Sequence, residues 1–293
     1  MVFLFTAVTS PFVVLFGPFN NVKRAVIGAI LQSRHPQYIT WLFSNDELQS
    51  ILGTVGVVKS QDLFKFNARE DKDLKLKKME SSRYVGYVLE IPDPRRIQEK
   101  GDTTSNIAKM NGAVAAINGG GFHDPNGTGT GRLPYGFILH EGDYIIGKDV
   151  GPDESVDFVG FSKSGNLIAG NYDKTELADM KAMEGITFGP PLIVDGKKMI
   201  TDGDGGWGVG PRTAIGQRKD GTVLFVVIDG RQPGYSLGAT LRDVQDVLYE
   251  KGAYIAANLD GGSSSTLYLN GKVVNKPADL LGERMIPTAF IVK

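Results

Sequence analysis

The chain has 293 residues, no cysteine, 38 glycines and a formal net charge of −1 from 32 basic and 33 acidic residues. The balanced charge offers no basic surplus for a nucleic-acid partner, and the lack of cysteine excludes thiol nucleophiles, disulfides and cysteine-ligated zinc. Glycine is concentrated in residues 101–293, which predicts tight turns and close backbone approaches in that part of the chain.

The first part of the chain is apolar. Residues 1–22 carry no charged side chain, and the first charge is Lys23. At about 1.5 Å per residue, a helix of this length spans a bilayer of roughly 30 Å, so we predict a membrane anchor over residues 1–22. The segment lacks a basic start and a clear cleavage site, which argues against a cleaved signal peptide. The alternative is a buried hydrophobic helix of a soluble protein, and Lys23 with Arg24 leaves the membrane orientation open.

Two further units are predicted after the apolar segment. Residues 23–82 are expected to form a juxtamembrane region of helices and linker, in which Asn45-Asp46-Glu47-Leu48 resembles a helix start. The many charges between residues 61 and 82 indicate a solvated boundary or an edge hairpin. Residues 83–293 are expected to form the functional domain.

Residues 83–293 show alternating strands and turns. Apolar segments at 212–217 and 222–228 flank Lys219-Asp220-Gly221, which predicts a hairpin. Residues 239–252 predict an amphipathic helix with a capping box at Thr240 and Asp243. We therefore predict an α+β fold with mixed, mainly antiparallel β-sheets and a few helices, preceded by the N-terminal hydrophobic helix.

Three apolar strands end in the same way. Each is followed by one carboxylate or amide and then by glycine, in Asn118-Gly119-Gly120, Asp229-Gly230 and Asp260-Gly261-Gly262. The strand holds the polar side chain on a rigid element, while glycine lets the chain turn and exposes N–H groups. If the strands share a sheet and a direction, the three polar side chains converge at one edge. Alternatively, these pairs are simply turn formers.

Arginines near these strand ends supply the complementary charge. They are Arg212, which follows Gly210-Pro211, then Arg231, and then Arg284, for which Glu283 is an adjacent ion-pair partner. Guanidinium groups bind phosphate oxygens in a bidentate manner, and successive glycine N–H groups bind anions. Together these features suit an anionic, hydroxyl-rich ligand such as a sugar phosphate, although each arginine alone suits a structural ion pair.

Other chemistries have less support. The glycines at 127–131 are not followed by a dinucleotide-binding pattern, and no P-loop sequence is present. A Ser–His–Asp triad would need His123 or His140. No two-histidine metal spacing occurs, so no cofactor is predicted, but a Ca²⁺ or Mg²⁺ ion at Asp229 or Asp260 remains open.

Several motifs follow one another in a characteristic order. They are Ala116-Ile-Asn-Gly-Gly-Gly-Phe122, Pro134-Tyr-Gly136, Gly189-Pro-Pro-Leu-Ile-Val194, Pro211-Arg-Thr-Ala-Ile-Gly216, Asp229-Gly-Arg231, Asn258-Leu-Asp-Gly-Gly-Ser-Ser-Ser-Thr266 and Gly282-Glu-Arg284. In these motifs the chain from about Tyr84 to Lys293 resembles the phosphodiester glycosidase family, whose bacterial members are often described as exopolysaccharide-biosynthesis proteins. Gly121 departs from the pattern, because some members have an aromatic residue there.

The resemblance implies hydrolysis of a sugar-1-phosphodiester at its glycosidic C–O bond, which yields free sugar and a phosphomonoester. It implies that Arg212, Arg231, Asp229 and Asp260 belong to the pocket. Arg212 and Arg231 would stabilise the leaving phosphate, and one aspartate would activate water or stabilise the transition state. We favour Asp260 for that role and Asp229 as a hydrogen-bonding or metal partner, and the sequence leaves the choice between them open. The remaining pocket residues implied by the motifs bind substrate: Asn118, Gly119, Gly120, Thr213, Gly261, Gly262 and Ser264.

The expected substrate is an anionic glycan or sugar phosphodiester of the cell surface or extracellular space. The domain is accordingly expected outside the cell, tethered by its N-terminal segment. Two alternatives remain open. One is a non-catalytic carbohydrate-binding or exopolysaccharide-assembly module that uses the same pocket, and the other is a soluble protein whose glycines are only structural.

Overall fold

The computed structural model describes residues 2–31, 36–53, 58–60, 63–66, 73–123, 131, 133–146, 150–151, 153–279 and 281–293. The helices in this part of the chain are α1 (Val2–Phe16), α2 (Asn20–Leu31), α3 (Gln37–Thr40), α4 (Asn45–Leu52), α5 (Thr104–Met110), α6 (Lys174–Asp179) and α7 (Leu241–Glu250). The strands are β1 (Lys75–Glu80), β2 (Val85–Ile91), β3 (Ile97–Asp102), β4 (Ala115–Asn118), β5 (Ile138–His140), β6 (Asp143–Ile146), β7 (Val156–Ser162), β8 (Leu167–Tyr172), β9 (Ala182–Thr187), β10 (Pro191–Val194), β11 (Lys197–Lys198), β12 (Arg212–Arg218), β13 (Val223–Ile228), β14 (Ala253–Leu259), β15 (Leu267–Leu269), β16 (Lys272–Val273) and β17 (Ile286–Val292).

The strands form three sheets. Their orders are β1-β2-β13-β12-β14-β10-β11 for the large sheet, β16-β15-β4-β17-β3 for the second and β6-β5-β9-β7-β8 for the third. The strand pairs described within them are antiparallel, as between β12 and each of its neighbours. The predicted α+β class with mainly antiparallel sheets is confirmed.

The register of the large sheet decides where the strand ends lie. Strand β12 pairs with both β13 and β14, so these two outer neighbours run in the same direction. Arg212 lies opposite Ile228, and Thr213 lies opposite Leu259. The beginning of β12 and the ends of β13 and β14 therefore lie side by side at one end of these central strands, and the candidate site is located there.

A shared apolar core joins the three sheets. Leu89 and Phe225 enter it from the large sheet, Ile117 and Phe290 from the second sheet, and Val159 from the third. All five side chains are almost fully buried. Strands that are covered on both faces consist of apolar, often β-branched residues, as these do. This packing holds strand ends from different sheets at fixed positions.

Helix α7 covers the other face of the large sheet. Leu241, Val244 and Leu248 are fully buried in a second apolar cluster with strand residues. The helix begins at the predicted capping box, in which Thr240 Oγ1 accepts from Asp243 N at 3.1 Å and Asp243 Oδ2 accepts from Thr240 N at 2.8 Å. Such a box satisfies backbone N–H groups that a helix start leaves unpaired.

The N-terminal segment differs from its prediction. Helix α1 has 15 residues and ends at Phe16, before Gly17 and Pro18, and α2 starts at Asn20. The break divides the apolar stretch, because proline lacks the N–H that would continue the helix. At about 1.5 Å per residue, α1 falls short of the bilayer core. No described helix is long and apolar enough to cross a membrane, so the anchor predicted over residues 1–22 is not supported.

The helices that follow pack on one another and on the sheets. Ile27 of α2, Ile39 of α3 and Leu48 of α4 are buried together in a small apolar cluster. Gly28 of α2 lies so close to the loop before β12 that a Cβ there would approach Gly208 N to 2.6 Å. Strand β1 forms the edge of the large sheet, although it lies within the region expected to be a juxtamembrane linker.

Candidate active site

A cleft of about 610 Å³ opens at the end of the large sheet where β12 begins and β14 ends. Its walls come from the glycine-rich loop after β14, from the loop that precedes β12 and from the N-terminal helices. Six residues predicted for the site line the cleft: Arg212, Arg231, Asp260, Gly261, Gly262 and Ser264. The structure thus brings together groups from three separate motifs.

Arg212 is a buried cation that faces the cleft. Its guanidinium donates to Ala239 O at 3.0 Å, Trp207 O at 2.7 Å and Gly208 O at 2.6 Å, and the residue is only 4% exposed. Among the described ion pairs, none involves Arg212. Burial and neighbouring Arg231 lower the pKa of the Arg212 guanidinium to about 10. A ligand anion in the cleft would offset this cost of burying an unpaired charge.

Arg231 reaches the same cleft from the loop after β13. Its backbone has φ of 58°, in the left-handed region that disfavours non-glycine residues. Its Nη1 lies 3.3 Å from the point where Gly262 would carry a Cβ, and its Nε lies 4.0 Å from the corresponding point at Gly210. The two glycines therefore leave room for the guanidinium.

Arg284 is a third arginine in the cleft wall. Its guanidinium carbon lies 4.7 Å from the centre of the Phe122 ring, and its Nη1 donates to Ser263 Oγ at 3.5 Å. The adjacent Glu283 accepts from Ser105 N at 2.8 Å near the start of α5. The position of Arg284 next to Glu283 in the sequence did not indicate that Arg284 lines the cleft, because neighbouring side chains need not point the same way.

Asn118 and Thr213 lie beneath the cleft and are not among its lining residues. Both are fully buried. Asn118 Oδ1 accepts from Thr213 Oγ1 at 2.8 Å and from Thr266 N at 3.1 Å, and Asn118 Nδ2 donates to Asp260 O at 2.6 Å. The side chain of Asn118 thus holds the backbone of Asp260 and connects it to Thr213 and Thr266.

Gly119 and Gly120 are also outside the cleft lining. Gly119 N donates to Thr288 O, and Gly120 N donates to Thr288 Oγ1, both at 2.8 Å. A Cβ at Gly119 would lie 2.5 Å from Thr288 Oγ1. Their N–H groups, which were expected to bind substrate, therefore connect the end of β4 to β17, and the lack of a side chain at Gly119 permits this close approach.

Asp229 is 1% exposed and does not line the cleft. Its carboxylate accepts from Tyr235 Oη at 3.0 Å, Asn275 Nδ2 at 2.9 Å and Lys276 N at 2.9 Å. Burial raises the pKa of the Asp229 carboxyl, although these hydrogen bonds act in the opposite direction. Asp229 thus connects the loop that carries Arg231 to residues 275–276, whereas Asp260 lines the cleft.

Comparison with known proteins identifies the family of the chain. The family model "Phosphodiester glycosidase" matches residues 111–293 of the chain. The chain belongs to the phosphodiester glycosidase family. Its relatives include the SPbeta prophage-derived uncharacterized protein YomE of Bacillus subtilis, 32% identical over 197 residues, and the N-acetylglucosamine-1-phosphodiester alpha-N-acetylglucosaminidase of Bos taurus, 24% identical over 233 residues. These alignments cover 65% and 68% of this chain but only 29% and 42% of the relatives.

Solved structures show the same phosphodiester glycosidase fold. The catalytic domain of the zebrafish N-acetylglucosamine-1-phosphodiester alpha-N-acetylglucosaminidase, auto-inhibited by its pro-peptide, matches with a TM-score of 0.64 at 21% identity, over 80% of this chain and 88% of that one. A hypothetical protein from Synechocystis matches with a TM-score of 0.54 at 16% identity, over 75% and 62% of the two chains. At these identities the likeness concerns the fold.

Aromatic side chains complete the cleft of this family member and were not predicted as site residues. Tyr135, Phe188 and Trp207 line it, and the rings of Phe188 and Trp207 meet edge to face at 6.1 Å. Gly121 makes room for them, since a Cβ there would lie 2.7 Å from Phe188 Cε2 and 3.2 Å from Tyr135 Cδ2. The signal in the sequence was Trp207, an aromatic residue in a glycine-rich run just before Arg212.

Neither a metal centre nor a histidine triad emerges in the part of the chain that is described. There, no group of three or more histidine or acidic side chains is placed to hold a metal ion, at Asp229, Asp260 or elsewhere. His123 and His140 do not line the cleft. His140 Nδ1 lies 2.8 Å from Glu184 Oε2, which engages it within the third sheet. His35 and residues 127–130 lie outside the described residues.

Proposed function

We propose that the chain is a hydrolase that cleaves the glycosidic bond of a sugar-1-phosphodiester. The observation that carries this proposal is the meeting of Arg212, Arg231 and Asp260 in one cleft. Two guanidinium groups suit a phosphate, and one carboxylate suits the developing positive charge of a sugar ring. Membership of the phosphodiester glycosidase family supports the same reaction.

The arginines act on the leaving group. When the bond between the anomeric carbon and the bridging oxygen breaks, its electron pair goes to that oxygen and the phosphodiester leaves as a phosphomonoester. Arg212 and Arg231 stabilise the added charge, which makes them more effective in the transition state than in the ground state. Backbone carbonyls hold Arg212 in place, so little reorganisation is needed.

Asp260 acts on the sugar. Its carboxylate either stabilises the oxocarbenium-like transition state or takes a proton from the water that attacks the anomeric carbon. It is the one carboxylate among the described residues that line the cleft. Ordinary glycosidases use a second carboxyl group to protonate an alkoxide leaving group. A phosphate monoester leaves without that help because it is a much weaker base.

The remaining cleft residues bind the sugar and phosphate oxygens. Gly261, Gly262 and Ser264 belong to the turn directly after Asp260, in which Ser264 N donates to Gly261 O at 3.1 Å. The aromatic rings around Trp207 offer a face on which a sugar ring stacks, as apolar C–H faces of sugars pack well on aromatic surfaces. We assign Asn118, Thr213 and Asp229 to the support of these groups.

We further propose that the substrate is a phosphodiester of a cell-surface or extracellular glycan, so that the domain acts outside the cell. The name of the Bos taurus relative, an N-acetylglucosamine-1-phosphodiester alpha-N-acetylglucosaminidase, supports a sugar phosphodiester as the substrate class. The test incubates the full chain with a panel of sugar-1-phosphodiesters and measures free sugar. Release of sugar and phosphomonoester in equal amounts supports the proposal. Retention of the glycan without turnover would instead favour the carbohydrate-binding or assembly module.

A further inference from the structure

A second cavity, of about 970 Å³, adjoins the catalytic cleft. The two cavities share the lining residues Leu31, Tyr135, Phe188 and Trp207. Because they share these four residues, the two cavities are neighbours, one at the arginines and the other at helix α4. We call the α4 end the distal groove, defined by Asn45, Gln49, Asp157, Asn171 and Gly189.

The two ends differ in charge. The catalytic end contains Arg212, Arg231 and Arg284. Among the described residues of the distal groove there is no lysine or arginine, and Asp157 is the acidic residue. An anionic ligand portion therefore has no cationic partner in the distal groove, and the nearby Asp157 carboxylate disfavours it.

The chemistry of the distal groove is that of hydrogen bonding beside aromatic faces. Asn45, Gln49 and Asn171 bring amide donors and acceptors, and Asn171 Nδ2 donates to Asp157 Oδ1 at 3.2 Å. Phe188 and Trp207 bring ring surfaces from the shared wall. Amides and carboxylates next to aromatic rings match neutral sugars, which present hydroxyl groups at their edges and C–H groups on their faces.

The distal groove is also too large for the part of a substrate that reacts. The reacting sugar and its phosphate occupy the catalytic end, and a further cavity of about 970 Å³ exceeds the size of one monosaccharide. One wall of the distal groove belongs to α4, which lies outside the family match at 111–293. The distal groove therefore includes residues that lie outside the part of the chain matched by the family model.

We propose that the distal groove is a subsite for a neutral oligosaccharide on the leaving-group side of the phosphodiester. This assignment rests on the proposed function, in which the reacting sugar and the phosphate occupy the catalytic end and the distal groove receives the group on the other side of the phosphate. The substrate is then a sugar phosphate ester carried on a neutral glycan chain of several residues, and α4 determines which chain is accepted.

The experiment compares two substrates and two variants of the full chain. One diester carries a methyl group on its phosphate, and the other carries a neutral tetrasaccharide. Gln49→Trp fills the distal groove from an exposed position of α4, and Ser50→Trp, the matched control, places the same bulk at the next exposed position, which does not line it. We expect Gln49→Trp to raise KM for the tetrasaccharide diester by roughly 10-fold with kcat and the methyl diester unchanged, and Ser50→Trp to change neither.

A binding measurement separates this subsite from the reaction. Calorimetric titration of the wild type with cellotetraose, maltotetraose and chitotetraose should detect binding of at least one, which Gln49→Trp weakens and Ser50→Trp leaves intact. Binding without turnover of any diester would remove the proposed function and keep the subsite. Three outcomes would overturn the subsite. They are equal effects of Gln49→Trp on both diesters, an equal effect on a third diester that carries an alkyl chain in place of the tetrasaccharide, and no binding of any tetrasaccharide.

Discussion

Asn118 and Thr213, which belong to different sheets, are joined by a hydrogen bond of 2.8 Å between their side chains. Asn118 lies at the end of β4, and Thr213 is the second residue of β12. The same amide donates to the backbone oxygen of Asp260 at 2.6 Å. One buried side chain thus sets the distance between two sheets and the position of the proposed catalytic carboxylate.

Asn118→Asp should destabilise the protein strongly. The change replaces the donor to Asp260 O by an oxygen that repels it and buries a carboxylate charge, so we expect the free energy of unfolding to fall by roughly 3 kcal/mol or more. Chemical denaturation measures this loss. Asn106→Asp, at an exposed position of α5, is the control and should change stability little. Equal stability of the two variants would contradict the positioning role.

Asp260→Asn should abolish turnover without unfolding the protein. The backbone groups of Asp260 make the contacts with Gly119 and Asn118, and these survive the substitution. Removal of the carboxylate charge should lower kcat by about 10²-fold or more. Asp143→Asn, on exposed strand β6, is the matched control. Unchanged sugar release by Asp260→Asn would remove Asp260 from the mechanism.

Arg231→Ala should weaken both catalysis and anion binding. Loss of one guanidinium at the leaving phosphate is expected to lower kcat/KM by roughly 10²-fold. A phosphomonoester product raises the Tm of the wild type by mass action, and this shift should shrink in the variant. Arg95→Ala, at an arginine paired with Asp93 away from the cleft, should keep both properties. A full Tm shift in Arg231→Ala would contradict phosphate binding by this residue.

Gly262→Ala should reduce activity through the space that it removes. Gly262 has φ of 60°, and a Cβ there would lie 3.3 Å from Arg231 Nη1. Gly271, with φ of 88° and open space around it, provides a control with similar backbone strain. Both alanine variants should lose about 1–2 kcal/mol of stability, but only Gly262→Ala should lose activity. Kinetic assays of both distinguish strain from displacement of the guanidinium.

The pH dependence of stability should reveal the buried carboxyl of Asp229. Its folded-state pKa is raised, mainly by burial, above the unfolded value of about 3.9, so folding favours the protonated form. This contribution is complete below pH ~4 and is lost as the pH rises through the raised pKa. The Tm advantage of the wild type over Asp229→Asn should therefore decrease with rising pH. Parallel Tm curves would contradict the raised pKa, and Asp143→Asn should follow the wild type.

The sequence predicted the fold class and the identity of the six cleft residues, but it did not predict how the site residues contact one another. Local signals sufficed for the α7 capping box and the β12–β13 hairpin, because both depend on neighbouring residues. Asp260 lines the cleft, whereas Asp229 is buried by its contacts with Tyr235 and Asn275, which lie in other segments. Periodicity and turn patterns carry no information about such long-range partners.

The apolar N-terminus shows the same limit. Its composition matched a membrane span, but Gly17 and Pro18 divide it into two helices. The aromatic wall of Phe188 and Trp207 was likewise missed, because these residues meet only after the loops around β10 and β12 come together. What sequence reasoning lacked was packing between distant segments.

The loop at Trp207 and Gly208 has two neighbours at once. Its carbonyl groups hold the guanidinium of Arg212, and Gly208 lies against Gly28 and Ala29 of α2. A fragment cut to the family match at 111–293 would leave this loop open to solvent on the side that α2 now covers. A fragment for biochemical study should therefore include α2, because α2 packs on the loop whose carbonyl groups hold Arg212.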